Sequence, residues 1–209
     1  MTTAIHLSSQ LAAFDGASVD GSAYTDVVRL AERAPGWLDA AVAFWSTYGM
    51  LLFAVLMALG WWRARQVSAE AALTALAAPV LVVVSFAVDS LVKSAVRESR
   101  PCQSLHLATV EACPAPGDWS FPSNHAALAA AAAVALWCVS RGLGAIATVA
   151  ALAMAASRVW VGAHYPHDAL AGVAVGALVA LAGMFVLRRL SLAPRLVASR
   201  LRPLLLAAS

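Results

Sequence analysis

Charge is scarce in this chain. Of its 209 residues only 12% are Asp, Glu, Lys or Arg, while 62% are hydrophobic. A soluble domain carries about a quarter charged residues and about half apolar ones. The deficit excludes an ordinary water-soluble fold. The net charge is only +3, too small to argue for a nucleic-acid partner, and none is expected. Cysteine is scarce as well: three residues, with no spacing that suggests zinc. There is no internal repeat. No basic n-region precedes an early apolar stretch, so a cleaved signal peptide is not expected.

What the chain does have is apolar runs, five of them. Ala40 to Trp62 is uncharged for about 23 residues, enough to cross a hydrocarbon core of about 30 Å. Ala71 to Val88 follows. Ala126 to Ser140 and Gly142 to Ser157 are shorter, and span if their polar ends lie at the interface or line a cavity. Ala169 to Leu187 is the fifth. The expected fold is an all-α integral membrane bundle of about five transmembrane helices. Ahead of it, Tyr24 to Leu38 mixes Val27, Val28, Leu30, Ala31 and Ala34 with Arg29, Glu32 and Arg33, the pattern of an amphipathic helix on the membrane surface.

Arginines orient the bundle. Arg63 and Arg65 follow the first run, Arg141 separates the third from the fourth, and Arg188, Arg189, Arg195, Arg200 and Arg202 follow the fifth. With five spans they share one side, which the positive-inside rule makes cytoplasmic. Three regions follow: an extracytoplasmic segment over 1–39, a transmembrane domain over 40–190 and a basic cytoplasmic tail over 191–209. Trp37, Trp61, Trp62 and Trp160 suit an interfacial belt.

This topology leaves charges on the outer side. Lys93, Arg97, Arg100 and Arg158 fall there with few carboxylates nearby in sequence. Intramembrane or interfacial charges are costly and usually have a partner or a job. The bland alternative is snorkelling at helix ends. Ser123, Asn124 and His125 open the third run, and His164 and Asp168 open the fifth. Three distant segments thus converge at one membrane face. They bring cations, two imidazoles, a carboxylate and a helix amino terminus with Ser123 as a candidate N-cap, which together make an anion site.

Three stretches carry a family resemblance. "KSAVRESRP" holds Lys93, Arg100 and Pro101; "PSNH" is Pro122 to His125; "SRVWVGAHYPHD" holds Ser157, Arg158, His164 and Asp168. They resemble the K-x6-R-P, P-S-G-H and S-R-x5-H-x3-D motifs of the type 2 phosphatidic acid phosphatase family, with Asn124 in the place of the motif glycine. The resemblance implies a hydrolase acting on a lipid phosphate with no cofactor and no metal. His164 is then the nucleophile that forms a phosphohistidine, Asp168 its orienting carboxylate, and His125 the general acid and base. Lys93, Arg100 and Arg158 clamp the phosphate, and Ser123 and Asn124 complete its cradle. Asn124 keeps the backbone amide and adds a side chain able to donate.

Other residues carry less. His167 matches no family position and reads as interfacial. Arg97 either touches a second phosphate or snorkels. His6 and His106 read as surface histidines, and Ser157 as a support for the fold. Cys102 and Cys113 bracket an outer loop, where oxidising conditions favour a disulfide over two free thiols; Cys138 reads as a small core residue.

The segment from Leu30 to Trp62 is similar to the amino-terminal region of bacitracin-resistance-type undecaprenyl-diphosphatases. That likeness favours undecaprenyl diphosphate as substrate, cleaved to undecaprenyl phosphate and inorganic phosphate in carrier-lipid recycling for cell-wall synthesis. The expected place is a multi-pass cell-membrane protein with its active site at the extracytoplasmic face and the bilayer as partner; the sequence does not set an oligomeric state. Phosphatidic acid or phosphatidylglycerophosphate phosphatase is the alternative. Rivals of other classes are a metal-dependent hydrolase using His125, His164 and Asp168, an intramembrane protease using Ser123, and a non-catalytic lipid-binding or transport protein.

Overall fold

The computed structural model describes residues 15–190, and beyond them 192, 194, 197 and 198. His6, Arg195, Arg200 and Arg202 lie outside the described residues, as do most of the amino-terminal 14 residues' and tail's expected features. Among the described residues eight helices and no strand are formed: α1 (Ala17–Glu32), α2 (Gly36–Tyr48), α3 (Met50–Ala64), α4 (Ala69–Val96), α5 (Pro101–Leu105), α6 (Asn124–Val139), α7 (Arg141–Trp160) and α8 (Pro166–Leu190).

Local chemistry sets the ends of these helices. Ser68 caps α4, its Oγ accepting from Ala71 N at 3.1 Å, and Lys93 sits in its last turn, where a cation complements the dipole. Pro101 and Pro166 stand at helix starts, where a missing N–H costs nothing. Ser140 ends α6 and opens α7, which makes a tight helical hairpin.

Among the described residues three helices, α4, α7 and α8, are long and apolar enough to cross a membrane, and α2 with α3 makes a fourth as a bent pair. The remaining apolar run, the third, is α6, with 16 residues. The fold is an all-α membrane bundle. The uninterrupted span expected over Ala40 to Trp62 is corrected: it bends by 50° between Tyr48 and Met50. Gly49 is the pivot. A Cβ there would lie 2.8 Å from Met154 Cε and 2.9 Å from the Trp45 ring, so glycine lets α7 press into the bend.

The surface helix also shifts. It runs over α1 and stops before Pro35, which caps α2, so Leu38 belongs to the next helix. Rather than lying free, α1 docks on protein. Tyr24, Val28 and Ala31 are buried, and Tyr24 and Val28 pack with Val159, Tyr165 and Ala169. Tyr24 Oη donates to Gly162 O at 3.0 Å. Trp160 Nε1 donates to Asp39 Oδ1 at 2.9 Å, tying α7 to α2.

At the centre stands α6. Ala126, Ala127, Ala129 to Ala133, Ala135 and Leu136 are all buried, with α4, α7 and α8 around them. Small residues allow this approach in a bilayer, where close packing replaces the hydrophobic drive. A Cβ on Gly172 or Gly176 of α8 would strike the carbonyls of Ser123 or Ala127. The large apolar side chains point outward instead, as with Leu51, Val83, Leu91, Val149 and Leu170, where lipid would cover them.

Candidate active site

Helix directions bring the ends of α4 and α7 and the starts of α6 and α8 together. Lys93 lies in the last turn of α4, Arg158 in the last turn of α7, Asn124 and His125 in the first turn of α6, and Asp168 in the first turn of α8. His164 lies in the turn between α7 and α8. That turn depends on Gly162, whose φ is +83° and whose added Cβ would lie 2.6 Å from Thr109 Cβ. A side chain would be strained and obstructed there.

His164 is the best-defined group. It is 2% exposed. Nε2 lies 3.1 Å from Arg100 Nη1, and Nδ1 lies 3.4 Å from Asp168 Oδ2. A guanidinium only donates and an ionised carboxylate only accepts. The proton therefore sits on Nδ1, and Nε2 carries the lone pair, which accepts from Arg100 here and can act on an electrophile once that bond is given up. Burial, and then the positive charges of Arg100, Arg158 and Lys93, hold the His164 imidazole well below the usual histidine range. At neutral pH the ring is uncharged, as a nucleophile requires.

Asp168 is fully buried. Its Oδ2 accepts from Tyr165 N at 2.8 Å and from Ser120 Oγ. Ser120 Oγ also lies 3.5 Å from His164 Nδ1. The backbone adds a link to α6, since Ser123 N donates to Asp168 O at 3.0 Å.

The cations are each held. Arg100 Nη1 donates to Ala163 O at 2.8 Å, and Nε donates to Asp118 O at 3.1 Å. Its Nη2 pairs with Asp118 Oδ1 at 3.0 Å. Arg158 Nη1 meets both oxygens of Glu111 at 3.1 Å and also bonds Ser46 Oγ. Lys93 Nζ donates to Trp119 O at 2.9 Å and Ser120 O at 3.2 Å. The expectation of cations short of carboxylates is thus corrected. Their partners arrive from the loop that follows α5 and leads to α6, too far along the chain to be read by spacing.

His125 is half-buried and within electrostatic reach of Arg158, Glu111, Arg100 and Lys93. Ser123 occupies the N-cap position of α6, but its side chain makes no capping bond. Instead Ser123 Oγ and Asn124 Oδ1 are buried without a hydrogen-bond partner. Polar atoms in that condition are rare and ask for a ligand or water. They stand beside a helix amino terminus, whose first amides lack partners within the helix.

Cys102 and Cys113 are joined by a disulfide. The bridge encloses Glu111, the partner of Arg158. Cys138 is a free thiol. Arg97 is the left-handed C-cap of α4, its Nε donating to Ser94 O at 3.0 Å.

The interfacial reading of His167 is corrected. It pairs with Asp20 of α1 at 2.7 Å and with Glu98 at 3.0 Å. Glu98 is 1% exposed. Among the described residues, Glu98, His167 and Asp168 form the one group whose ligand-type atoms lie within 4.8 Å of one another. Sequence reasoning also missed Ser120, Asp118, Glu111 and Ser46. None of them has a motif spacing, although Glu111 inside the cysteine-bracketed loop was a usable sign.

The comparisons follow the same lines. A family model described as the PAP2 superfamily matches residues 71–191. The chain is 38% identical over 97 residues, 46% of its length, to decaprenylphosphoryl-5-phosphoribose phosphatase of Mycobacterium tuberculosis. That match spans about half of the relative, 51% of its length. The chain is 27% identical over 142 residues to the undecaprenyl-diphosphatase BcrC of Bacillus subtilis, covering 68% of this chain and 71% of that one. The crystal structure of a transmembrane PAP2-type phosphatidylglycerolphosphate phosphatase from Bacillus subtilis shares the fold. Its TM-score is 0.62 at 19% identity, over 82% of this chain and 87% of the other.

Proposed function

This chain belongs to the PAP2 superfamily, and from that premise we propose that it is a membrane lipid phosphatase working through a phosphohistidine at His164. The observation that carries the proposal is the His164 ring, with Nε2 against Arg100 and Nδ1 against Asp168. That tautomer presents a lone pair where three cations can gather phosphate oxygens.

In the proposed reaction, His164 Nε2 attacks phosphorus. The N–P bond forms as the P–O bond to the leaving group breaks, and His125 gives that oxygen its proton. Asp168 stabilises the positive charge that develops on the His164 ring. Water then attacks phosphorus and passes a proton to His125. The N–P bond breaks, which releases inorganic phosphate and restores the lone pair. Lys93, Arg100 and Arg158 clamp the non-bridging oxygens, while Ser123 and Asn124 cradle them with the amides of α6. No step calls on a metal ion.

The substrate class proposed is a polyprenyl carrier phosphate, with undecaprenyl diphosphate first, hydrolysed in carrier-lipid recycling for wall synthesis. The likeness to BcrC supports it. A polyprenylphosphoryl sugar phosphate is the second reading, favoured by the 38% identity to the mycobacterial phosphatase. The glycerolipid phosphates rest on a shared fold alone. The arginines at the ends of α3 and α8 and at the start of α7 support an extracytoplasmic site in the cell membrane. The same reasoning supports an outer amino-terminal segment over 1–39, a phosphatase domain over 40–190 and an inner tail over 191–209.

The test is phosphate release by purified protein in detergent, with chelator present. The assay compares undecaprenyl diphosphate, decaprenylphosphoryl-5-phosphoribose, phosphatidic acid and phosphatidylglycerophosphate. Turnover of a polyprenyl substrate, abolished by His164→Ala, is the expected result. Turnover of the glycerolipids alone overturns the substrate class, and a fully active His164→Ala variant overturns the mechanism.

A further inference from the structure

His167 takes no part in the reaction proposed above, yet its ring is one of the most constrained groups near the site. Nδ1 lies 2.7 Å from Asp20 Oδ1, and the His167 backbone N–H donates to Asp20 Oδ2 at 2.7 Å. Nε2 lies 3.0 and 3.2 Å from the two oxygens of Glu98. A neutral imidazole donates from one nitrogen only, and an ionised carboxylate cannot donate at all. With a carboxylate at each ring nitrogen, both nitrogens carry protons and the ring is an imidazolium.

The packing fixes that cation in place. Tyr165 stacks on the ring with centroids 5.4 Å apart and planes 15° apart, and Phe121 stacks at 5.9 Å and 30°. α1 comes close because Gly16 stands at its start: a Cβ there would lie 2.8 Å from His167 Cε1.

An independent observation comes from Asp168. Its Oδ2 takes the Ser120 and Tyr165 hydrogen bonds and faces His164. Its Oδ1 is buried and has no hydrogen-bond partner. The charged group facing Oδ1 is His167, with Nε2 at 3.4 Å. A fully buried carboxylate without a counter-charge takes up a proton. A protonated Asp168 would no longer support positive charge on His164.

We propose that His167 is a positioning residue, an imidazolium clamped by Asp20 and Glu98 whose charge keeps Asp168 ionised with Oδ2 turned to His164. The idea rests on the phosphohistidine reading for its catalytic consequence, but not for the protonation of His167 itself. The groups around the ring are Asp20 of α1, Glu98 from the segment after α4, Asp168 of α8, and Tyr165, whose hydroxyl donates to Asp15 at 3.4 Å. Three carboxylates surround one histidine, and this excess of negative charge favours the doubly protonated ring.

Two measurements on the full chain in detergent test it. In protein labelled with 15N-histidine, the His167 signals, identified by their loss in His167→Gln, should show both ring nitrogens protonated at pH 7.5. A neutral ring overturns the proposal. So does a stoichiometric divalent metal found by elemental analysis of protein purified without chelator, because Glu98, His167 and Asp168 would then be its ligands. In the second measurement, the acidic limb of the pH–rate profile should move up by about one unit or more in His167→Gln, since the cation nearest Asp168 is then gone and Lys93, farther off, is left to oppose its protonation. His167→Lys keeps a cation and should bring the limb back toward wild type. Asp20→Asn leaves the ring in place and weakens its hold, so a smaller shift in the same direction is expected. It serves if His167→Gln does not fold. A folded His167→Gln with a wild-type limb, or a limb displaced equally in His167→Lys, overturns the proposal. If the wild-type protein releases no phosphate from any lipid, the phosphatase reading fails instead, and the labelling measurement still decides the charge on His167.

Discussion

Replacing Asp168 by asparagine isolates one term of the proposed chemistry. The substitution keeps size and shape but removes the charge 3.4 Å from His164 Nδ1. During attack on phosphorus His164 gains about one positive charge, and Asp168 is the carboxylate placed to balance it. Two unit charges at that separation attract by about 5 kcal/mol at an effective dielectric constant of about 20. Each 1.36 kcal/mol is a factor of ten in rate, so a loss of about 10³- to 10⁴-fold is expected. An orienting effect acts in the same direction, because an amide can turn its NH2 toward Nδ1 and favour the wrong tautomer. In a Ser-His-Asp triad the corresponding change costs about 10⁴-fold. The assay is phosphate release under single-turnover conditions, with a parallel melting curve to show that Asp168→Asn is folded. The loss should fall on the chemical step and leave lipid binding nearly unchanged, since Asp168 lies behind the imidazole. A folded variant slowed by less than about tenfold would refute the assignment of Asp168 as the charge partner of His164.

Three other outcomes are expected. Reducing the Cys102–Cys113 bridge, which closes a sequence separation of 11 residues, should lower stability by up to about 3 kcal/mol in the chain-entropy model. It should also reduce activity, because Glu111 inside that loop holds Arg158; full activity after verified reduction would count against this coupling. Stability should fall with acid: His164 is depressed in the folded protein, so on acidification below about 6.5 the unfolded chain takes up a proton that the folded one refuses. Melting temperature should therefore drop from pH 7 to pH 5, less steeply in His164→Gln, and identical slopes would contradict the burial argument. Gly162→Ala should destabilise by about 1–3 kcal/mol from positive φ alone, with more from the contact to Thr109. A melting curve like that of wild type would show that the turn relaxes freely.

How far the sequence could be read depended on the range of each interaction. The apolar runs reported α4, α7 and α8 because span length is a local property. The three motifs pointed to one membrane face, and there the structure brings Lys93, Arg100, His164 and Asp168 into one network. The break at Gly49 was missed because its cause is Met154, a residue about a hundred positions away on α7. The same limit hid the partners of the cations. Asp118 and Glu111 sit in a loop with no regular pattern, and they reach Arg100 and Arg158 only after that loop folds back across the bundle. His167 looked idle for a related reason: Asp20 and Glu98 come from two other elements, and neither is within hailing distance along the chain.

The alanine-rich course of α6 bears on the site as directly as any charged residue does. A helix amino terminus helps an anion only at the distance of a hydrogen bond, so α6 must be set along α8 to within a fraction of an ångström. Gly172 and Gly176 make that setting, since any Cβ on them would strike the carbonyls of Ser123 and Ala127. The bond from Ser123 N to Asp168 O at 3.0 Å then fixes the sliding coordinate. A shift of α6 by one residue rise, about 1.5 Å, would break that bond. It would also carry Ser123, Asn124 and His125 away from His164 together. The small residues are therefore part of the geometry of the proposed site: they convert helix packing, which is spread over many contacts, into the placement of a few polar atoms that could not hold themselves there.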